Sequence, residues 1–126
     1  MVRQYRQAIG EVCIELPGGC VDDTDASFQA AAARELREET GYTFSGFEYL
    51  GKISANPSTN SNFLHMFLAK GGRKTNEQEL DPNEEIEVMV MSIDEAKVLI
   101  RNNKIMQAMH VTCMLYAFNK MSELSY

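Results

Sequence analysis

Apolar and charged residues alternate between Ile9 and Leu16, where Ile9, Val12, Ile14 and Leu16 stand against Glu11 and Glu15. The run is rich in β-formers and predicts a strand, and Val2 to Arg6 is strand-like ahead of it. Pro17-Gly18-Gly19 ends the strand in a loop with unusual backbone freedom, and Cys20 to Asp25 is acidic and turn-prone. Ser27 to Thr40 is alanine-rich and predicts a helix. Asp25 or Ser27 suits its N-cap, and Gly41 suits the position after its end. Phe28, Ala31, Ala32 and Leu36 form the expected inward stripe. Tyr42 to Ile53 predicts one or two strands around Phe44, Phe47, Tyr49 and Leu50. A polar loop, 54–62, leads to Phe63–Ala69, apolar enough for a central strand. After a polar stretch over 71–81, Ile86–Met91 predicts a further strand. Ser92-Ile93-Asp94-Glu95 has the form of a capping box opening a helix to Arg101. Asn102-Asn103 breaks it. Lys104 to Asn119 predicts the last helix, with Met106, Met109, Cys113, Tyr116 and Ala117 as its apolar face, a Met-rich stripe that reads as core packing. Strands on either side of a helix, then a helical C-terminus, predict an α/β (α+β) chain with a mixed β-sheet and helices on both faces.

At 126 residues the chain fits one domain, 1–126, with room for a real core. The formal net charge of -6 disfavours nucleic-acid or membrane-surface partners, which want a basic face. It leaves a phosphorylated small molecule open, because a metal supplies local positive charge. Cys13, Cys20 and Cys113 are odd in number and lack C-x-x-C spacing, which argues against a disulfide framework or a zinc site and fits a reducing compartment. No apolar run approaches a membrane span, and no charged region followed by an apolar one opens the chain. A cytoplasmic protein is expected. The chain moves into strand-like sequence at once, so either it begins inside a sheet or an upstream segment is absent.

The chemistry concentrates in Arg34-Glu35-Leu36-Arg37-Glu38-Glu39-Thr40-Gly41. Three carboxylates share little more than one helical turn, and like charges at such spacing repel. A hard divalent cation such as Mg²⁺ makes the arrangement useful, since it takes oxygen ligands and leaves room for substrate phosphate. The bland alternative is a solvated face balanced by Arg34 and Arg37; the glycine loop upstream weighs against it.

Gly19 to Tyr42 resembles the Nudix box, G-x5-E-x7-R-E-U-x-E-E-x-G-U with U apolar. Its second half is complete here apart from Tyr42 at the last apolar place. The first half departs: fourteen residues separate Gly19 from Arg34, one more than the family form, and no glutamate stands at the early position. Asp25 or Ala26 falls there, according to where the extra residue lies. The flanks Gln4-Tyr5-Arg6, Glu11 to Gly19, Val21-Asp22-Asp23, His65 to Ala69 and Leu80 to Val88 look like the ADP-ribose and nucleotide-sugar pyrophosphatase branch.

The resemblance implies a Nudix-type α/β/α sandwich and a metal-dependent hydrolase. It would cleave a nucleoside diphosphate linked to another moiety, ADP-ribose or a related nucleotide sugar first, giving a nucleoside monophosphate and a sugar phosphate. Mg²⁺ is the implied cofactor, with Mn²⁺ as the alternative. Glu35 and Glu39 are the implied ligands with Glu38 beside them, and Gly18 adds a backbone carbonyl. Gly19 falls in the substrate loop. Arg34 is read as an ion-pair partner of Glu38. Arg6 is either a phosphate contact or a surface arginine. Glu15 either helps hold metal or its water, or points outward. Glu84 matches the general base, with Glu85 next. His65 and His110 read as packing residues. The related enzymes carry an N-terminal β region that builds a homodimer and part of the nucleotide pocket; nearly all of it is missing from this sequence. Other readings are hydrolysis of dinucleoside polyphosphates, nucleoside triphosphates or capped RNA, and a non-catalytic nucleotide-binding module. With no tryptophan, a tyrosine or phenylalanine must stack any adenine.

Overall fold

In the computed structural model, which describes residues 1–124, the strands are β1 (Val2–Arg6), β2 (Glu11–Glu15), β3 (Tyr42–Thr43), β4 (Gly46–Ile53), β5 (Leu64–Lys70), β6 (Arg73–Lys74) and β7 (Ile86–Val88). The helices are α1 (Phe28–Thr40), α2 (Ile93–Arg101) and α3 (Ala108–Lys120). The expected mixed sheet resolves, among the described residues, into three antiparallel ladders in an α+β chain: β2-β1-β7, β3-β6 and β4-β5.

The first hairpin starts later than the alternation predicts. Residues 7–10 make a turn in which the Ile9 and Gly10 N–H groups both donate to the Arg6 carbonyl, and Gly10 takes a left-handed φ of 69°. Ile9 therefore lies in the turn and is exposed. The register pairs Val2 with Glu15 and Arg6 with Glu11. It turns Cys13 and Glu15 inward and leaves Val12 57% exposed. While Ile14 and Leu16 pack against the core as expected, the pattern fails at two places, since Val12 is outside and the Glu15 carboxylate inside. The reason is Arg6, which reaches along the hairpin and meets both Glu15 oxygens, since a buried charge needs a partner.

Ser27 caps α1 by accepting the Ala30 N–H, and Gly41 closes it at φ 76° with its N–H on the Arg37 carbonyl. A left-handed residue after a helix is cheapest as glycine. Ala31 packs inward as expected, but Phe28 does not: it is half-exposed and stacks on His65 with ring centroids 3.7 Å apart. β5 pairs with β4 alone among the described strands, so it is not central despite its apolar sequence; its Met66 is nevertheless 1% exposed. β7 is shorter than its apolar run suggests, ending at Val88.

α2 opens on the expected capping box, with both reciprocal bonds between Ser92 and Glu95 present. α3 begins four residues later than expected, because Asn103 takes a left-handed φ of 53° and Ile105 drops into the core before the helix starts. Its buried face is Cys113, Met114 and Phe118, whereas Met106 and Tyr116 are about half exposed. Ala96, Ile105, Met114 and Phe118 form one core cluster against Ile14, Leu16 and Leu99. Cys13 and Cys113 are buried free thiols, and Cys20 is exposed. No helix among the described residues is long and apolar enough to cross a membrane.

Candidate active site

β2 delivers the chain into the elbow Pro17-Gly18-Gly19. Proline has no N–H, so the elbow has few backbone donors. The Leu16 N–H goes to His110 Nδ1 at 3.1 Å and the Gly18 N–H to Glu39 Oε2 at 2.9 Å. His110 therefore binds the elbow as an acceptor, beyond the packing role expected for it. The Glu35 carboxylate lies so close to Gly19 that a Cβ there would collide with it. Glycine at this position lets the Glu35 carboxylate stay where it is; a side chain there would displace it.

Arg34 organises the box. Its Nε and Nη2 meet the two oxygens of Asp25, both at 2.9 Å. Nη1 donates to Glu35 Oε1 at 3.0 Å and to Glu38 Oε2 at 3.1 Å, and Nη2 also reaches the Cys20 carbonyl. The expected Arg34–Glu38 pair is present, yet the bidentate partner is Asp25. Asp25, not Ala26, thus supplies the carboxylate at the early place in the box, and Ser27 alone caps the helix. The Arg34 guanidinium holds the Asp25 carboxyl below its usual range. Charge-assisted bidentate pairs of this kind fix orientation as well as charge.

Glu39 is buried, 7% exposed. Burial is the main cause that pushes its carboxyl up to about 7; the Gly18 N–H opposes this, and the charges of Glu35 and Glu84 add to it. Glu35 is raised too, chiefly by burial and against the pull of Arg34. Glu84 is raised by burial and then by a hydrogen bond to Asp81.

A cavity of about 470 Å³ opens over these groups. Gly18, Gly19, Glu35, Glu38, Glu39, Arg6 and Glu84 line it. All were expected. Glu15 is a correction: it does not line the cavity. It is 4% exposed behind Arg6, holding Arg6 Nε at 3.0 Å and Nη2 at 2.6 Å. Glu85 is exposed and outside the wall. Gln4, Glu79 and Asp81 line the cavity without having been anticipated. Gln4 was within reach of the strand period, two residues before Arg6 on one face. Asp81 is brought in by a turn that joins the Glu84 N–H to its carbonyl at 2.9 Å, for which the sequence carries only Pro82 as a signal. His65 is half-buried, between Phe28 and the Tyr49 hydroxyl.

The donor set fits a hard cation. Seven carboxylates line one cavity, and Arg34 compensates Glu35 and Glu38 but makes no bond to Glu39. Glu39, raised chiefly by burial and further by the charges of Glu35 and Glu84, lacks a cationic hydrogen-bond partner of the kind Arg34 gives Glu35 and Glu38. Among the described residues no three acidic, histidine or cysteine side chains already form a ligand cluster: Glu35 is turned to Arg34 and Glu39 to the Gly18 N–H.

A family model of the NUDIX domain matches residues 1–110. The chain is 31% identical over 117 residues to a methanol dehydrogenase activator of Bacillus methanolicus, covering 92% of this chain and 63% of the relative. It is 30% identical over 109 residues to an ADP-ribose pyrophosphatase of Bacillus subtilis (strain 168), covering 86% and 58%. It is 35% identical over 66 residues to an ADP-sugar pyrophosphatase of Mus musculus, covering 52% and 30%. The chain thus spans less than two thirds of each of these relatives. A crystal structure of an ADP compounds hydrolase superposes with a TM-score of 0.84 over 98% of this chain and 67% of that one, at 20% identity, which shows the fold.

Proposed function

The chain belongs to the Nudix family, and from that premise we propose that residues 1–126 act as one hydrolytic domain on a nucleoside diphosphate linked to a second moiety. ADP-ribose or a related nucleotide sugar is the first substrate, and the products are a nucleoside monophosphate and a sugar phosphate. The observation that carries this reading is Glu35 and Glu39 held against a glycine elbow, in a cavity that also receives Arg6 and Glu84. Glu35, Glu39 and Glu38, with the Gly18 carbonyl, are the groups that would hold Mg²⁺ or Mn²⁺. The ion, when bound, neutralises phosphoryl charge and lowers the pKa of a water.

The side chains divide the rest of the work. Glu15 engages Nε and Nη2 of Arg6 and leaves Nη1 for a phosphate oxygen. Glu84 faces the cavity with its carboxyl raised by burial and Asp81, a shift toward the pH at which a general base accepts a proton from water most effectively. Asp25 and Arg34 keep Glu35 and Glu38 in place.

One relative bears the name of an activator, which supports a second reading, a regulatory module that binds nucleotide without turnover. Retention of Glu35, Glu38 and Glu39 favours hydrolysis. The test is to incubate the purified chain with Mg²⁺ and ADP-ribose, a UDP-sugar, a diadenosine polyphosphate or a nucleoside triphosphate, and to separate the products by ion exchange. ADP-ribose is expected to turn over fastest, and Glu39→Gln to abolish turnover while the circular dichroism stays native. Wild-type rates in Glu39→Gln reject the metal assignment; tight nucleotide binding with no turnover of any compound selects the regulatory reading.

A further inference from the structure

The last turn of a helix leaves carbonyls without intrahelical partners. At the end of α1 residues 74–79 take them up. The Glu79 N–H donates to the Glu38 carbonyl at 2.7 Å, Gln78 Nε2 to that of Glu39 at 2.7 Å, and Lys74 Nζ to that of Thr40 at 3.4 Å. The Thr75 and Asn76 N–H groups both go to the Gly41 carbonyl. Gln78 does more than cap. The same Nε2 donates to the carbonyl of Ile86 at 2.9 Å, at the buried start of β7. A primary amide has two hydrogens, and both are spent.

Residues 79–85 thereby form a loop whose entrance and exit are tied to one nitrogen atom, and that atom is tied to the backbone of Glu39. The loop is polar and largely exposed, and Glu79, Asp81 and Glu84 on it line the cavity. Leu80 is half-buried and the Glu79 N–H holds the entrance on α1, while the Gln78 amide ties the exit, at Ile86, to the same helix.

We propose that Gln78 is a positioning residue for hydrolysis: its amide pins the 79–85 loop to the helix that carries Glu39 and so sets how far Glu84 enters the cavity. This rests on the reading of Glu84 as the base. A purely structural Gln78 would lower stability and leave the turnover of folded molecules unchanged. A positioning Gln78 lowers kcat through Glu84 and leaves KM alone, because misplacing a reacting group by about 1 Å costs on the order of 10²-fold.

The experiment uses the full chain with Mg²⁺ and ADP-ribose and compares Gln78→Met, Gln78→Lys, Glu84→Gln and the double variant Gln78→Met/Glu84→Gln. Methionine keeps the length and loses both donors; the lysine ammonium restores them. Gln78→Met is expected to lower kcat by about 10²-fold with KM unchanged, and Gln78→Lys to recover most of the loss. Adding Gln78→Met to Glu84→Gln is expected to cost nothing further, since coupled residues are non-additive. Hydrogen exchange over 79–85 rises in Gln78→Met and not in Gln78→Lys. Wild-type kcat in Gln78→Met, equal losses in both backgrounds, or unchanged exchange overturns the proposal and leaves the Glu84 reading standing. Wild-type kcat in Glu84→Gln, where Gln78 is intact, overturns that reading and the proposal with it. If Gln78→Met does not fold, Gln78→Ala carries the same comparison.

Discussion

Glu39 shows how one side chain is placed against its own stability. Its carboxyl is buried and raised from an ordinary 4.5 to about 7. The folded chain therefore holds the proton more tightly than the unfolded one. Nothing is lost below the unfolded value; the penalty for charging the buried group grows as pH rises from there to about 7, and it stays constant above. Its full size is about 3 kcal/mol. Metal-free Glu39→Gln should therefore match wild type in urea denaturation at pH 4 and exceed it at pH 8; equal midpoints at pH 8 would refute the shift. Glu39 stood out as a candidate only because the glycine loop upstream weighs against a merely solvated acidic face; its burial, 7% exposed, was not legible. Glu15 was legible as a carboxylate in an alternating strand, read either as a holder of metal or its water by resemblance or as an outward residue, and neither reading foresaw its pairing with Arg6. Its burial depends on Arg6 arriving from the neighbouring strand, which no local pattern records. Gln4 could have been found from the strand period beside Arg6, whereas Asp81 enters through a turn to Glu84 that only Pro82 signals.

At the scale of the element, α1 is the best-read part of the chain. Its span, its Ser27 cap and its glycine stop follow from propensity and capping chemistry. Gly41 carries a double requirement: φ is 76°, and a Cβ would collide with the Asn76 carbonyl in the strap that closes the helix. Gly41→Ala should cost at least about 1–3 kcal/mol, read as a lower urea midpoint, and should also lower activity because the strap leads into the Glu84 loop. An unchanged midpoint would show that the strap yields freely. α3 was placed less well. Its first residues are apolar enough to continue a helix, but burying Ile105 draws them into an extended approach that begins at the left-handed Asn103. β5 misleads in a related way. An apolar strand signals burial without saying what covers it, and here β4, α1 and α3 lie against it while only β4 pairs with it.

The whole molecule builds the site from one ladder, one helix and the loops between them. β1 and β2 bring Arg6 and the elbow, α1 brings the carboxylates, and the segment before β7 brings Glu84. A ligand that binds only this assembled arrangement stabilises it by mass action. Mg²⁺ at about 100 times its dissociation constant should add about 2.7 kcal/mol, seen as a rise in Tm that a chelator reverses and that Glu39→Gln abolishes. A Tm indifferent to Mg²⁺ in wild type would argue against an ion among these carboxylates. The fold class and family were legible because the motif is contiguous. The arrangement of ladders was not, since short strands carry no record of which partner they take.

The bond from the Leu16 N–H to His110 has a temporal corollary. Every residue lining the cavity has been joined to the chain once Glu84 is added, yet one anchor of the glycine elbow lies on α3, which is synthesised after it. A nascent chain can thus carry every lining residue before α3 exists to receive the Leu16 N–H.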